Sequence, residues 1–138
     1  AVMESFQVYI LAADEAFYEG PCEALSVPCS TGMMGILAHH SNMIAAVVPG
    51  TLRYRSPGES EKLAAVSAGL VQVENGIVLI LVDSAERPEE IDANRARRAA
   101  DEAKEALLQK QSIQEYRMAQ SSLARAISRL QVKNIARK

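Results

Sequence analysis

Hydrophobic and polar residues follow different patterns on the two sides of residues 86–96. Up to residue 87, apolar residues alternate with polar ones or form short runs between glycines and prolines, a pattern typical of β-strands. From residue 89 onward there is neither Gly nor Pro, and apolar residues recur at helical spacing. The two patterns predict an α+β protein, with a β domain at residues 1–87 followed by a helical domain at residues 88–138.

Short strands are predicted throughout the first domain. Residues 51–55 alternate cleanly, Asn75-Gly76 is a strong hairpin signal, and the six apolar residues 77–82 predict a strand buried on both faces. Gly20-Pro21 is expected to form a turn that leads into a second strand at residues 22–27. Many short strands at close spacing favour a sandwich or a barrel.

The second domain carries two apolar stripes, separated by an interruption at residues 109–112. Both stripes have three-four-three-four spacing, at Ala93, Ala96, Ala100, Ala103 and Leu107 and at Tyr116, Ala119, Leu123, Ala126 and Leu130. Two such stripes predict an antiparallel two-helix hairpin. The first stripe is almost entirely alanine. Burying one methylene contributes only about 0.8 kcal/mol, against about 1.5–3 kcal/mol for Leu or Val, so the hairpin is expected to be weakly held.

Charge is distributed unevenly between the two domains. Residues 1–87 carry four basic and ten acidic side chains (net −6), whereas residues 88–138 carry eleven and seven (net +4). The basic domain is therefore expected to meet a nucleotide, an acidic protein surface or its own acidic body. Duplex nucleic acid is not an expected partner, because the basic residues are interleaved with acids and Tyr116 is the only aromatic residue among them.

Other features exclude several classes of function. No stretch reaches the roughly 18 apolar residues of a membrane span, so direct membrane insertion is not expected. Cys22 and Cys29 are too few for a disulfide framework or a zinc site and are expected to be reduced thiols of a cytoplasmic protein. His39 and His40 are adjacent and would point to opposite faces of a strand, so no metal site is expected.

Five short motifs follow one another along the chain. They are Gly32-Met33-Met34-Gly35-Ile36-Leu37 with His40, Ser67-Ala68-Gly69-Leu70-Val71-Gln72-Val73, Ala85-Glu86-Arg87, Ile91-Asp92-Ala93-Asn94-Arg95-Ala96, and Arg125-Ala126-x-x-Arg129-Leu130. In this order they resemble the epsilon subunits of bacterial F-type ATP synthases. The fourth motif is the most specific, because it is similar to the Ile/Leu-Asp-x-x-Arg-Ala sequence of epsilon subunits that bind ATP. The chain departs from the family at residues 38–42, Ala-His-His-Ser-Asn where Pro-Gly-His-x-Pro is usual, and at Ala68, which replaces the first of two expected glycines.

The resemblance implies a β-sandwich of about ten strands that binds the gamma subunit and the c-ring, on the cytoplasmic side of the bacterial membrane. It also implies a non-catalytic role, coupling catalysis to proton or sodium transport. The hairpin would either fold against the sandwich or extend along gamma, where it meets the alpha and beta catalytic subunits and blocks ATP hydrolysis. ATP bound to the folded form would hold it there, without a metal, through Glu86, Ile91, Asp92, Arg95, Ala96, Arg125 and Arg129. Glu86 and Ile91 would lie beside the base.

The residues themselves leave other interpretations open. Asp92 is placed to cap the first helix, whether or not it also contacts a ligand. Arg95, Arg125 and Arg129 would repel one another in a folded hairpin unless a triphosphate, solvent or a nearby carboxylate neutralises them. The candidate carboxylates are Glu86, Glu89, Glu102 and Glu105.

No catalytic set is visible in the sequence. There is no phosphate-binding Gly-x-x-x-x-Gly-Lys loop and no evident pair of magnesium carboxylates, so a bound ATP is expected to act as a signal. The alternative function is a free-standing β-sandwich that binds a small ligand or peptide and dimerises through its helical hairpin.

Overall fold

The computed structural model describes residues 4–109 and 112–136. Ten strands come first, followed by one 3-10 turn and two helices. They are β1 (Phe6–Ala12), β2 (Ala16–Cys22), β3 (Ala24–Cys29), β4 (Gly32–Ile36), β5 (Met43–Val47), β6 (Gly50–Arg55), β7 (Lys62–Val66), β8 (Gly69–Glu74), β9 (Ile77–Val82), β10 (Ala85–Glu86), the turn Pro88–Glu90, α1 (Ala93–Leu108) and α2 (Ile113–Ala136). The predicted fold class, a β-sandwich of about ten strands followed by two helices, is confirmed.

The strands pair in the order β10-β7-β6-β3-β5-β8-β9-β1-β2, and β4 pairs with β3. Strand β3 joins the two halves of this arrangement, because its start pairs with β6 and its last residue, Cys29, pairs with Val47 of β5. Pro28 lies where the partner changes, so its missing N–H interrupts no ladder there. One apolar core fills the sandwich, with Val8, Ile10, Val27, Ile36, Leu52, Val71 and Ile80 among its most buried side chains.

Two predicted features of the strands are wrong. Gly20 and Pro21 lie inside β2 rather than in a turn. Strand β2 is the last in the pairing order, and a proline at an edge costs no ladder hydrogen bond. Strand β9 is not buried on both faces, because Ile77 and Leu81 are exposed on its outer side while Val78, Ile80 and Val82 face the core.

The two departures from the family pattern fit locally. His39 has a φ of 67°, a left-handed conformation, at the position where the family usually has glycine. Histidine is one of the non-glycine residues that adopt this region more often than most, and its imidazole contacts the Glu4 carboxylate. Ala68 is exposed and has no positive φ. Its backbone needs no glycine.

Gly69, in contrast, allows no side chain. A Cβ at this position would lie 1.9 Å from the carbonyl oxygen of Leu81 and 2.7 Å from the Cα of Val82, both in the backbone of β9. We therefore expect Gly69→Ala to force β8 and β9 apart and to lower the free energy of unfolding by about 1–3 kcal/mol or more. Urea denaturation followed by circular dichroism measures this change.

Gly35→Ala is the matched control. A Cβ at Gly35 in β4 would have no atom within 4 Å, and its φ is not positive. We expect this variant to unfold at nearly the wild-type urea concentration. Equal stability of the two variants would show that β8 and β9 adjust to the extra carbon without cost.

Helix α1 begins where the sequence predicts. Asp92 is its N-cap and accepts a hydrogen bond from the backbone N of Arg95 at 3.1 Å. Helix α1 ends at Leu108 and α2 begins at Ile113, which fits the predicted interruption at residues 109–112; residues 110 and 111 lie outside the described part. Neither of the two described helices combines the length and the hydrophobicity that a membrane span requires.

The two helices pack through the predicted alanines, since Ala96, Ala100, Ala103, Ala119 and Ala126 are all buried. Tyr116, predicted in the same seam, is instead 43% exposed. Helix α2 also buries Ser128 and Val132. These two residues do not belong to the seam, because they lie on the side of α2 that rests on β6 and β7.

Candidate functional site

A short linker between β10 and α1 forms one wall of the candidate site. Arg87 fixes this linker, because its guanidinium donates to the carbonyl oxygen of Phe17 at 2.7 Å and to Glu90 Oε1 at 3.0 Å. The guanidinium also lies 4.3 Å from the centre of the Phe17 ring. The hydrogen bond to Glu90 raises the pKa of Arg87, so its charge is maintained. The linker is thereby held against the body.

Residues 128–133 of α2 supply three side chains that hydrogen-bond to the body or the linker. Ser128 Oγ donates to the carbonyl oxygen of Gly50 at 2.8 Å, and Lys133 Nζ donates to the carbonyl oxygen of Pro88 at 3.0 Å. Arg129 Nε donates to Glu86 Oε1. In all three contacts the helix supplies the donor and the body or linker supplies the acceptor.

A small apolar cluster completes this docking contact. Val132 is fully buried and packs with Ala65 of β7 and Ile91 of the linker, beside the half-buried Leu63. The cluster is separate from the main core of the sandwich. In the part of the chain that the structure describes, the apolar docking cluster therefore contains one fully buried α2 side chain, Val132.

A cleft of about 360 Å³ lies between the linker, the start of α1 and α2. Its lining residues are Glu86, Glu90, Asp92, Arg95, Ala96, Ala99 and Arg129. Five of the seven predicted ATP-contacting residues are thus brought together: Glu86, Asp92, Arg95, Ala96 and Arg129. The volume falls in the range of about 300–1,000 Å³ that is usual for small-molecule sites.

The other two predicted residues do not line the cleft. Ile91 is 4% exposed and faces the apolar cluster with Val132. Arg125, one turn before Arg129, is half-buried and donates to Ser122 Oγ at 3.4 Å.

Two lining residues were missed at the sequence level. Ala99 follows Arg95 by four residues on the same helix face, so helical spacing alone could have identified it. Glu90 had no comparable signal, because its position depends on the hydrogen bonds that fold residues 87–90 into a turn.

The charges in the cleft are partly matched by the protein itself. Glu86 pairs with Arg129. Neutralisation of an arginine by this carboxylate is one of the alternatives that the sequence left open. Asp92 caps α1. The Arg95 side chain is exposed, and within the described residues no carboxylate lies at ion-pair distance from it. If Arg129 is released from Glu86, its guanidinium and that of Arg95, beside the N-terminus of a 16-residue helix, form an arrangement suited to an anion.

The described residues include neither a reactive cysteine nor a metal-binding group of side chains. Cys22 and Cys29 are free and buried, and burial raises the pKa of both thiols, so they stay protonated at neutral pH. In the part of the chain that the structure describes, no three His, Cys, Asp or Glu side chains are grouped to hold a metal ion.

The body presents an exposed apolar surface on the outer side of β5, β8 and β9. Ala46, Leu70 and Leu81 lie in one row across these strands, and all three are exposed. Ile44, 70% exposed, lies two residues from Ala46 on the same face of β5. A contiguous apolar face of this kind usually marks a protein–protein contact.

Comparison with known proteins covers both domains. The family model described as the β-sandwich domain of the ATP synthase delta/epsilon chain matches residues 5–88, and the model of the long α-helix domain of the same chain matches residues 89–134. The ATP synthase epsilon chain of Nitrosospira multiformis is 37% identical over 128 residues, 93% of this chain and 92% of the relative. That of Ruminiclostridium cellulolyticum is 39% identical over 132 residues, 96% of this chain and 98% of the relative.

Solved structures support the fold. A chain of the Euglena gracilis mitochondrial ATP synthase superimposes with a TM-score of 0.80 at 22% identity, covering 100% of this chain and 84% of that chain. A chain of the Tetrahymena thermophila enzyme gives 0.63 at 15% identity, with both chains covered completely. Together with matches to both domain models and to relatives above 30% identity, these findings show that the chain belongs to the delta/epsilon chain family of ATP synthases.

Proposed function

We propose that this chain is the epsilon subunit of a bacterial F-type ATP synthase, a non-catalytic subunit of the rotor stalk. In this role it couples catalysis to proton or sodium transport from the cytoplasmic side of the membrane. Family membership supports this assignment, and so does the apolar outer face of β5, β8 and β9. Leu70 and Leu81 would be costly to leave exposed on an isolated protein, so this face is proposed to contact the gamma subunit and, at its end, the c-ring.

We further propose that the hairpin is movable and inhibits ATP hydrolysis when it extends toward the alpha and beta subunits. The small docking contact supports this proposal. Burying Val132 contributes about 1.5–3 kcal/mol, the Ser128–Gly50 hydrogen bond about 0.5–1.5 kcal/mol, and a partly exposed ion pair about 0–1 kcal/mol. Ordering the helix on the body opposes these terms, so the net docking energy amounts to a few kcal/mol.

ATP is the proposed ligand of the cleft, and it acts as a regulator. A ligand at a hundred times its dissociation constant stabilises the bound state by about 2.7 kcal/mol, comparable to the docking energy. The observation that carries the proposal is the position of the cleft. It is lined by Glu86 of the body, by Asp92 and Arg95 at the start of α1, and by Arg129 of α2, so it exists only while the hairpin is folded. Arg125 and Ile91 remain proposed contacts that require local rearrangement.

The assembly state separates this function from the alternative. We expect the full chain, expressed in its host and purified under mild detergent, to elute with a large membrane-attached complex that hydrolyses ATP. A free-standing sandwich dimerising through its hairpin would elute near twice its 15.0 kDa mass. A variant carrying Leu70→Glu in the apolar face serves as the control, because it should release the folded monomer from the complex.

A further inference from the structure

The ion pair between Glu86 and Arg129 lies inside the proposed nucleotide cleft. Arg129 Nε donates to Glu86 Oε1, and the two side chains are 32% and 27% exposed. Glu86 is the last residue of β10 and pairs with Ala65 of β7, so its backbone belongs to the body. Arg129 belongs to α2. The contact therefore joins the body to the movable hairpin across the cleft.

The charges that line the cleft do not favour a polyphosphate in the state observed. Three carboxylates, Glu86, Glu90 and Asp92, face two guanidiniums, Arg95 and Arg129. Asp92 is used as the cap of α1, and Glu90 bonds to Arg87 outside the lining. Among the described residues, Glu86 is the one carboxylate that pairs with a guanidinium of the lining. It is an oxygen acceptor of the same kind as a phosphate, and the two compete for Arg129.

We propose that Glu86 is an internal competitor of the nucleotide phosphates: its carboxylate holds Arg129 while the cleft is empty and must release it when a phosphate binds. This inference rests on the proposed ATP site. The exchange keeps the Arg129 guanidinium paired in both states, so loss of the nucleotide weakens the docking of α2 less than it would if Arg129 were left without a partner. The nucleotide then adds only the difference between its own contacts with Arg129 and those of Glu86.

Glu86→Gln tests the competition, and Glu90→Gln is the matched control. Both variants remove one negative charge from the lining of the same cleft, but only Glu86 contacts Arg129. The probe is inorganic tripolyphosphate, which has no base, titrated into the full chain by calorimetry. We expect Glu86→Gln to bind it about three- to fivefold more tightly than wild type, because a partly exposed ion pair, which contributes up to about 1 kcal/mol, no longer opposes binding. The affinity of Glu90→Gln for tripolyphosphate, relative to wild type, should be less than half that of Glu86→Gln.

A second measurement needs no ligand. Nitroxide labels on Ala68→Cys and Gln120→Cys, two exposed positions on the body and on α2, report the distance between them by pulsed electron resonance. We call the molecules whose hairpin is folded against the body the closed population. Without ligand, this population should be measurably smaller in Glu86→Gln than in wild type, and it should be unchanged in Glu90→Gln. Equal closed populations in all three proteins would overturn the holding role of Glu86.

The two measurements separate the two proposals. If wild type binds ATP and tripolyphosphate but Glu86→Gln gains no affinity over Glu90→Gln, the competition is wrong and the nucleotide site stands. If neither ligand binds any of the three proteins, the nucleotide site itself is wrong. A closed population that falls in Glu86→Gln alone would then still support the carboxylate as the holder of Arg129.

Discussion

Deleting residues 88–138 should raise the rate of ATP hydrolysis severalfold in an ATP synthase that carries the truncated chain. The proposed inhibitor is the extended hairpin, and the truncated chain has none. The sandwich should still join the complex, because its apolar outer face lies on β5, β8 and β9, away from the docking strands β6 and β7. The measurement compares hydrolysis rates of enzymes reconstituted with full-length and truncated chains at equal occupancy.

The body should fold without the hairpin because the two use different apolar clusters. The main core is built entirely from residues of the ten strands. Among the described residues, the strands of the body contribute Ala65 and Leu63 to the docking cluster. Neither residue belongs to the main core. Truncation therefore exposes little apolar surface, and the shortened chain should unfold in one cooperative transition.

Ser128→Ala in the full-length chain should change the rate of ATP hydrolysis in the opposite direction. It removes the hydrogen bond that α2 donates to the carbonyl oxygen of Gly50, so it weakens the folded hairpin and should lower the hydrolysis rate. Truncation and Ser128→Ala should thus move the rate in opposite directions. An enzyme inhibited equally with and without residues 88–138 would contradict the inhibitory role of the hairpin.

The sequence predicted features that depend on local chemistry. The helix start at Asp92 follows from a side chain that satisfies a free backbone N–H. The break at residues 109–112 follows from the loss of apolar spacing, and Ser112 indeed accepts from the backbone N of Glu115 at the start of α2. The buried alanines of the seam follow from helical periodicity. Each of these signals lies within a few residues of the feature that it predicts.

Features that depend on distant partners could not be read in this way. Pro21 fits a strand only because β2 lies at the sheet edge, and pairing order is a property of the whole fold. Ser128 and Val132 are buried because α2 has a second face against β6 and β7, which the two-helix periodicity does not reveal. The same contact draws Ile91 away from the cleft. The arginine pattern predicted that Arg95 and Arg129 come together, and both line one cleft, whereas the choice of Glu86 as the partner of Arg129 depends on how α2 packs against the body.

Arg95→Ala should weaken ATP binding at least tenfold and shift the hairpin toward its extended form. The Arg95 guanidinium lines the cleft and, among the described residues, meets no carboxylate, so it is the cation most available to a triphosphate. Hydrogen bonds to a charged group contribute about 1.5–3 kcal/mol, and about 1.4 kcal/mol corresponds to a tenfold change in affinity. Calorimetric titration of the full chain with ATP measures the loss.

Arg98→Ala is the control for charge. Arg98 lies on the same helix and is also exposed, but it does not line the cleft, so its loss should change the affinity less than threefold by long-range attraction alone. Unchanged affinity in Arg95→Ala, or an equal loss in Arg98→Ala, would remove the proposed phosphate site from the start of α1.

Asp92 requires a pair of variants, because it caps α1 in addition to lining the cleft. Asp92→Ala removes both functions and should weaken ATP binding at least tenfold, with about 1 kcal/mol of helix stability lost as well. Asn caps helices about as well as Asp. Asp92→Asn therefore keeps the helix start and removes only the charge. If Asp92→Asn binds ATP as tightly as wild type while Asp92→Ala does not, Asp92 acts on the nucleotide by ordering the first turn of α1, with the Arg95 backbone held in place, rather than by direct contact.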